Sequence, residues 1–298
     1  MRVFVTGASG FVGSAVVAEL AAFGHEVRGL ARTEAAAEQL TRVGAQPLRG
    51  TLEDYAVLRE GADWADGMIH TAFHHDFSRF AQACALDAQA IETLGSALIG
   101  SQRPLLVTSG LARLVQGRPA TEDDLPPPRS EAYPRVSEAS AQSLAARGVR
   151  ATTVRLAPSV HGAGDHGFVP MLIQIARQRG VSAYVGEGSN QWSAVHRLDA
   201  ARLYRLALES ADAGERLHAV GEAGIAFREI AEAIGRGLGV PTVSLSAQEA
   251  PEHFGPWFSH FPGADLTGTA HATQARLGWT PSYPGLLAEL AERFYFSA

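Results

Sequence analysis

Met1-Arg-Val-Phe-Val-Thr6-Gly7-Ala8-Ser9-Gly10-Phe11-Val12-Gly13 opens the chain and decides how the rest is read. A short β-branched and aromatic run stops at three glycines spaced three residues apart. A pattern rich in Ala, Val and Leu follows through Phe23 and reads as a helix. Strand, glycine turn and helix N-terminus in that order form a device for holding a dinucleotide pyrophosphate. Gly7 allows the tight turn, Gly10 removes a Cβ that would block the phosphates, and Gly13 lets the helix lie close on the strand.

Working outward, short apolar runs alternate with helical stretches. Strands are expected at Arg2–Thr6, Glu26–Ala31, Ala45–Leu48, Gly67–Thr71, Pro104–Thr108 and Ala151–Leu156, with helices near 11–23, 34–43, 54–60, 77–100 and 131–147. Asp54 stands where an N-cap would, and Gly148 where a C-terminal glycine would. Such alternation implies βαβ crossovers: an α/β fold with a Rossmann-type, doubly wound parallel sheet. After residue 157 the pattern loosens. Pro158, Gly162, Gly164 and Gly167 suggest a loop before a helix at 168–179, and 186–195 reads as another loop. A helix near 198–210, a strand Arg216–Val220 and a helix near 227–237 follow. We expect a dinucleotide-binding domain over 1–160, to which 196–220 returns. A smaller interleaved substrate lobe would comprise 161–195 and 221–298.

Bulk properties narrow the function classes. The 298 residues are 46% hydrophobic and 19% charged, as in an ordinary soluble globular protein. The net charge of −6 comes without blocks of like charge, which argues against a nucleic-acid surface. Cys84 is the one cysteine, so neither an intrachain disulfide nor a four-cysteine zinc site can form. No apolar run is long enough to span a membrane. The chain enters a strand at once, so no signal peptide and a cytoplasmic location are expected. His74, His75 and Asp76 cluster, but their spacing matches no metal pattern, and no metal is expected. Asp76 reads as the cap of a helix starting at Phe77.

Beyond the glycine turn, five stretches occur in a meaningful order. They are Gly67-Met-Ile-His-Thr-Ala72, Leu106-Val-Thr-Ser109-Gly, Val154-Arg155-Leu-Ala-Pro158-Ser-Val-His161-Gly162, Ala194-Val-His196-Arg-Leu-Asp199-Ala and Leu277-Gly-Trp279-Thr-Pro281. Together with Thr6-Gly-x-x-Gly-x-x-Gly13 this set resembles the extended and atypical short-chain dehydrogenase/reductases, including the NAD-dependent epimerase/dehydratase group. The resemblance spans nearly the whole chain. It implies cofactor contacts from Thr6, Gly7, Ser9, Gly10, Phe11, Val12 and Gly13. Leu52, Thr71, Ala72 and Phe73, and Pro158, Ser159 and Val160, complete that set. Where relatives carry Asp-Leu after the third strand, this chain has Thr51-Leu52, so the adenine contact loses a carboxylate. A homodimer formed through the 77–100 and 131–147 helices is also implied.

The tip of the second strand, Gly29-Leu-Ala31-Arg32-Thr33, carries no Asp or Glu. An acid there would hold the ribose 2′-hydroxyl of NAD, whereas Arg32 can fork onto a 2′-phosphate, so NADP(H) is expected over NAD(H). If Arg32 is only a solvated charge, Glu34 remains free to cap the next helix.

Catalysis in the resembled family uses Ser, Tyr and a Lys one helical turn after the Tyr. Ser109 ends an apolar strand and fits its part. The Tyr-x-x-x-Lys pair is missing. All 25 Lys/Arg residues are arginine, and the tyrosine in the right region, Tyr133, has Ser137 four residues on. A second register, counted back from Arg155, places Glu138 where relatives carry a glutamate four residues beyond the Lys; Pro134 and Ser130 then replace Lys and Tyr. Three routes to a proton stay open: Tyr133, with Arg135 supplying the positive charge; a loop histidine among His74, His75, His161 and His166; or water. Ser109 and Tyr133 are the candidate catalytic pair. His74, His161, His166, Phe168, Trp192 and Trp257 are candidate substrate contacts, joined by Asn190 and His196. The run Phe254-Gly-Pro-Trp257-Phe258-Ser-His260-Phe261 reads as an aromatic lid or an aromatic cluster on the lobe.

The expected function is NADPH-dependent reduction of a small or aromatic carbonyl-type compound (ketone, aldehyde or imine) with a non-standard proton donor. Two other readings stay open: a nucleotide-sugar epimerase or dehydratase, and a non-catalytic dinucleotide-binding sensor or scaffold.

Overall fold

A computed structural model of the chain describes residues 1–75, 79–112, 114–131 and 133–297. The elements of the first half are β1 (Arg2–Thr6), α1 (Phe11–Ala22), β2 (Glu26–Ala31), α2 (Glu34–Arg42), β3 (Gln46–Arg49), α3 (Tyr55–Trp64), β4 (Gly67–His70), α4 (Phe80–Ser96), β5 (Pro104–Gly110), α5 (Ser137–Ala146) and β6 (Arg150–Leu156). The second half comprises β7 (Ser159–His161), α6 (Phe168–Arg179), β8 (Ser182–Val185), β9 (Gln191–His196), α7 (Arg197–Ser210), β10 (Arg216–Ala219), β11 (Glu222–Ala226), α8 (Phe227–Leu238), β12 (Thr242–Leu245), α9 (Ala250–Phe254), α10 (His271–Leu277) and α11 (Leu286–Glu289).

Seven strands form one parallel sheet in the order β10-β6-β5-β4-β1-β2-β3. Alternate residues of a strand serve opposite faces. Val3 and Val5 pack with α1 and α7, whereas Phe4 packs with α3 and α4. Helix α1 is apolar almost all round because it lies between the sheet and α7. The chain crosses from one side of β1 to the other between β3 and β4, so the carboxyl ends of β1 and β4 flank the switch point where such sheets bind ligands.

A second apolar cluster joins Val169, Leu172, Trp192, Phe227, Ile230, Phe258 and Leu286. It rests on a three-stranded sheet, β11-β9-β7, and a parallel pair, β12-β8. Four of these strands, β7, β8, β11 and β12, are not apparent from periodicity, and β9 replaces the expected loop over 186–195. Strands this short carry too few alternations to stand out.

Other local expectations shift. The helix expected from 131 starts at Ser137. Pro134 disfavours helical backbone at Tyr133, and the first turn forms only beyond it. Thr33, not Glu34, caps α2, its hydroxyl accepting from the Ala36 amide at 3.2 Å. Asp54 precedes α3 but turns back, accepting from the Thr51 amide at 2.7 Å and the Thr51 hydroxyl at 3.0 Å. The expected cap at Asp76 and helix start at Phe77 lie outside the described residues.

Arg155 is wholly buried in β6 and ties the sheet to its surroundings. Its guanidinium forks onto Glu138 in the first turn of α5, and donates to the Thr121 and Asp124 carbonyls and to His218 Nε2 at 3.0 Å. A guanidinium has only donors, so His218 must accept through Nε2 and is neutral, with its Nδ1–H on the Thr269 carbonyl at 2.7 Å. Burial lowers the His218 pKa from 6.5 to about 4. The unfolded chain therefore takes up a proton near pH 6.5 that the fold refuses, and stability present above that pH is lost as the pH falls towards about 4. Urea midpoints should drop over this window, and His218→Gln should flatten the dependence. An identical slope in that variant would exclude His218 as a source.

Candidate functional site

Gly7 has φ +69°, and a Cβ there would lie 2.6 Å from the Ala72 amide. A Cβ on Gly13 would come within 2.0 Å of the Gly7 carbonyl and 2.9 Å of Thr71 Oγ1. Helix α1 thus touches the ends of β1 and β4 at van der Waals limits. Gly10 differs: its Cβ would meet only the Gly7 carbonyl, at 3.1 Å, with open space beyond. No side chain caps α1, so its first amides point outward from the turn. This cradle fits a pyrophosphate.

The other expected cofactor residues surround that turn in different ways. Thr6 points inward, its Oγ1 2.7 Å from His70 Nδ1. Ser9 is half-buried, and its carbonyl accepts from Gln39. Phe11 and Val12 are half-buried. Leu52 is buried in the apolar layer under α3. Thr71 donates its hydroxyl to the Thr6 carbonyl at 2.8 Å, and Ala72 backs Gly7. Arg32 is exposed at the end of β2 with no ion pair among the described residues. Glu34 is instead held by Arg49, at the end of β3, 3.4 Å away. Pro158 and Val160 are half-buried, and Ser159 is buried with its hydroxyl unpartnered among the described residues.

Ser109 and Tyr133 line one cleft of about 230 Å³. Arg129, Arg135 and the wall Leu125–Pro128 complete it. Ser109 is the penultimate residue of β5, beside Arg155 in register, is nearly buried, and its hydroxyl has no hydrogen-bond partner among the described residues. Tyr133 lies in the segment before α5, so it cannot stand one helical turn from residue 137. Burial pushes its phenol above 10, and Arg135 opposes that shift. A larger groove of about 420 Å³ lies between α8 and the C-terminal turn, away from these groups.

Arg135 is where the sequence reading had least to say. Its Nε donates to Ser137 Oγ at 2.9 Å, its Nη2 to the Thr108 carbonyl at 3.2 Å, and its guanidinium sits 4.4 Å over the Phe73 ring. Ser137 Oγ donates to Asp87 at 2.5 Å, and Asp87 lies 3.1 Å from His70 Nε2. A chain of buried polar groups therefore runs from the cleft to Thr6.

The expected substrate contacts divide. His166 is exposed on the 162–167 loop, edge-on to Phe11 at 5.7 Å. His74 is half-buried after β4, and His75 lies 5.3 Å from Phe73. His161 is buried instead, its Nδ1 2.6 Å from Glu289, which also lies 3.2 Å from His196. Burial lowers the His161 pKa to about 4. Trp192 is fully buried, packed on Phe168 and Phe227, and so belongs to the lobe's core in this structure. Asn190 holds the carbonyls of Pro262 and Ala264. The 254–261 aromatics pack around Phe168, with Phe254 and Phe258 buried and Trp257 partly exposed.

Comparison with known proteins agrees with this architecture. The model of the NAD dependent epimerase/dehydratase family matches residues 3–221. The chain belongs to that family. Members bind NAD(P). An uncharacterized protein of Schizosaccharomyces pombe is 50% identical over 99% of this chain and 100% of its own length. The 4-hydroxy-2-methyl-3-oxo-4-farnesyl-3,4-dihydroquinoline-1-oxide ketoreductase of Stigmatella aurantiaca is 31% identical over 86% of this chain and 80% of that protein. A dTDP-glucose 4,6-dehydratase structure from Streptomyces venezuelae, with NAD bound, superposes with a TM-score of 0.78. At 21% identity over 99% of this chain and 96% of that one, it shows a shared fold.

Two functional candidates escaped the sequence reading. Arg197, first residue of α7, lies 5.2 Å over the Phe11 ring beside the cradle. Asp87 sits mid-helix in α4, 50 residues from the serine it accepts from. Neither belongs to a local motif, so only a fold that joins them could reveal them.

Gly13→Ala should abolish NADPH binding, because the clash is with backbone that cannot yield. Gly10→Ala should keep the folded chain and weaken binding more mildly. Fluorescence titration with NADPH, alongside thermal melts, checks both; tight binding by Gly13→Ala would refute the cradle.

Proposed function

We propose that the chain is an NADPH-dependent reductase of a small or aromatic carbonyl compound. The observation that carries this reading is the Ser109 hydroxyl, almost buried yet unpartnered among the described residues, in one cleft with Tyr133 and Arg135. A hydroxyl without a protein partner, opening on a cleft at the carboxyl edge of such a sheet, is suited to a substrate oxygen. The named activity of the Stigmatella relative, a ketoreductase, supports the same chemistry.

Bound nicotinamide would supply the hydride that reaches the carbonyl carbon. Ser109 donates a hydrogen bond to the carbonyl oxygen and orients it. Tyr133, protonated at neutral pH, gives that oxygen its proton. Arg135 stays charged throughout and stabilises the phenolate left behind, the electrostatic part of a lysine's work without its capacity to titrate. Arg32, exposed and without an ion pair among the described residues, is the group proposed to take the 2′-phosphate, while Arg49 is engaged with Glu34.

Ser109→Ala is expected to lower kcat by about 100-fold or more while NADPH still binds. Tight NADPH binding with no turnover of any aldehyde, ketone, imine or nucleotide sugar would point to a sensor and defeat the proposal. Arg32→Ala should weaken NADPH about tenfold and leave NADH unchanged, as loss of one charge-assisted contact predicts. With Tyr133 as donor, its raised pKa keeps the active form present through neutral pH and lost only above pH 10. A limb near pH 6.5 in the kcat profile would assign the donor to histidine instead.

A further inference from the structure

The arginines of the cleft are more than the missing charge requires. Arg135 has five N–H donors, and two are used, by Ser137 and by the Thr108 carbonyl. The other three have no partner among the described residues, although the side chain is half-buried. Arg129 also faces the cleft, exposed and without an ion pair among the described residues. The carboxylate lining the same cleft, Glu138, is buried and forked by Arg155. Asp87, one hydroxyl behind Arg135, offsets part of this charge, and Arg129 leaves the cleft with a net positive balance among the described residues.

Arg135 is also held still. A carboxylate at Asp87 accepts from Ser137 Oγ at 2.5 Å and from His70 Nε2 at 3.1 Å, and His70 Nδ1 then accepts from Thr6 Oγ1 at 2.7 Å. Ser137, having donated its proton to Asp87, is left to accept from Arg135. All four residues behind the guanidinium are nearly or fully buried, so its plane is set by the core. The Phe73 ring closes one side. A guanidinium fixed in one plane with donors to spare matches a planar, two-oxygen anion.

We infer that the substrate carries a carboxylate beside the reacting carbonyl, held by Arg135 with Arg129 at the entrance. This inference rests on the ketone-reductase reading and narrows it. The cleft is small, and Ser109, Tyr133 and Arg135 all line it, so carbonyl and carboxylate are only a few bonds apart, as in 2-oxo and 3-oxo acids. Leu125, Pro126, Pro127 and Val136 supply an apolar wall for the rest of the molecule. The carboxylate also delivers specificity, because leaving a half-buried guanidinium unanswered costs more than losing an apolar contact.

The test uses the full chain with saturating NADPH and three probes: benzoylacetate, its methyl ester and acetophenone. We expect kcat/KM for the acid to exceed that for the ester at least tenfold. Arg135→Gln should erase that ratio and Arg135→Lys restore part of it. Arg129→Gln, at an exposed position that cannot unfold the chain, should lower the ratio severalfold. Calorimetry on NADP+-loaded protein should show 3-hydroxy-3-phenylpropanoate binding and its methyl ester not binding. Equal turnover of acid and ester, or a wild-type ratio in both arginine variants, overturns the carboxylate assignment and leaves the reductase reading in place. No turnover of any probe, with the hydroxy acid still bound through Arg135, removes the reductase reading and leaves the anion site.

Discussion

The interior of the chain turns on one buried cation. Arg155 has five N–H donors, and all five are spent on Glu138, the Thr121 and Asp124 carbonyls, and His218. Four separate pieces of chain therefore meet in one plane: β6, the first turn of α5, the 121–124 segment and the edge strand β10. Taking a guanidinium out of water is costly, and only complete pairing offsets it. Removing Glu138 would leave that charge uncompensated, at a cost on the order of 3–5 kcal/mol. Because α5 starts where Glu138 meets Arg155, the residues just before it, Tyr133 to Val136, are delivered to the end of β5. The cleft is a by-product of that pairing.

A second buried carboxylate, Asp87, works on the opposite side of α5. It gathers Ser137 and His70, and through them steadies Arg135 and Thr6. The two carboxylates thus clamp the start of α5 from both sides, Glu138 towards Arg155 and Asp87 towards Ser137. In a chain without lysine, this is how a positive charge is kept beside Ser109. Arginine cannot surrender its proton, so the arrangement supplies a field and a hydrogen-bonding plane.

Much of this was legible beforehand, unevenly. The parallel sheet was, because its central strands are continuous apolar runs ended by glycines and its helices are long enough to show their period. The position of Ser109 near the carboxyl end of such a strand was legible too. The register counted back from Arg155 singled out Glu138, and the structure joins the two side chains. The short strands of the second lobe were not legible, nor was the late start of α5. His161 and Trp192 looked like site residues by position in their motifs, yet the fold buries both. Motif position reports where the backbone goes, whereas burial depends on what packs over it.

By itself, the sequence determined the fold and the dinucleotide cradle. Those depend on local constraints: glycines where a Cβ would strike backbone 2.0–2.6 Å away, and strand and helix periods that only one class of sheet satisfies. It also determined that no lysine could take part. Only the tertiary structure decided which groups Arg135 is joined to. Arg135, Ser137, Asp87, His70 and Thr6 come from two strand ends, two helices and the segment before α5, up to 131 residues apart by number. No periodicity links them, and hydrogen bonds among buried groups exist only once the core has closed around them.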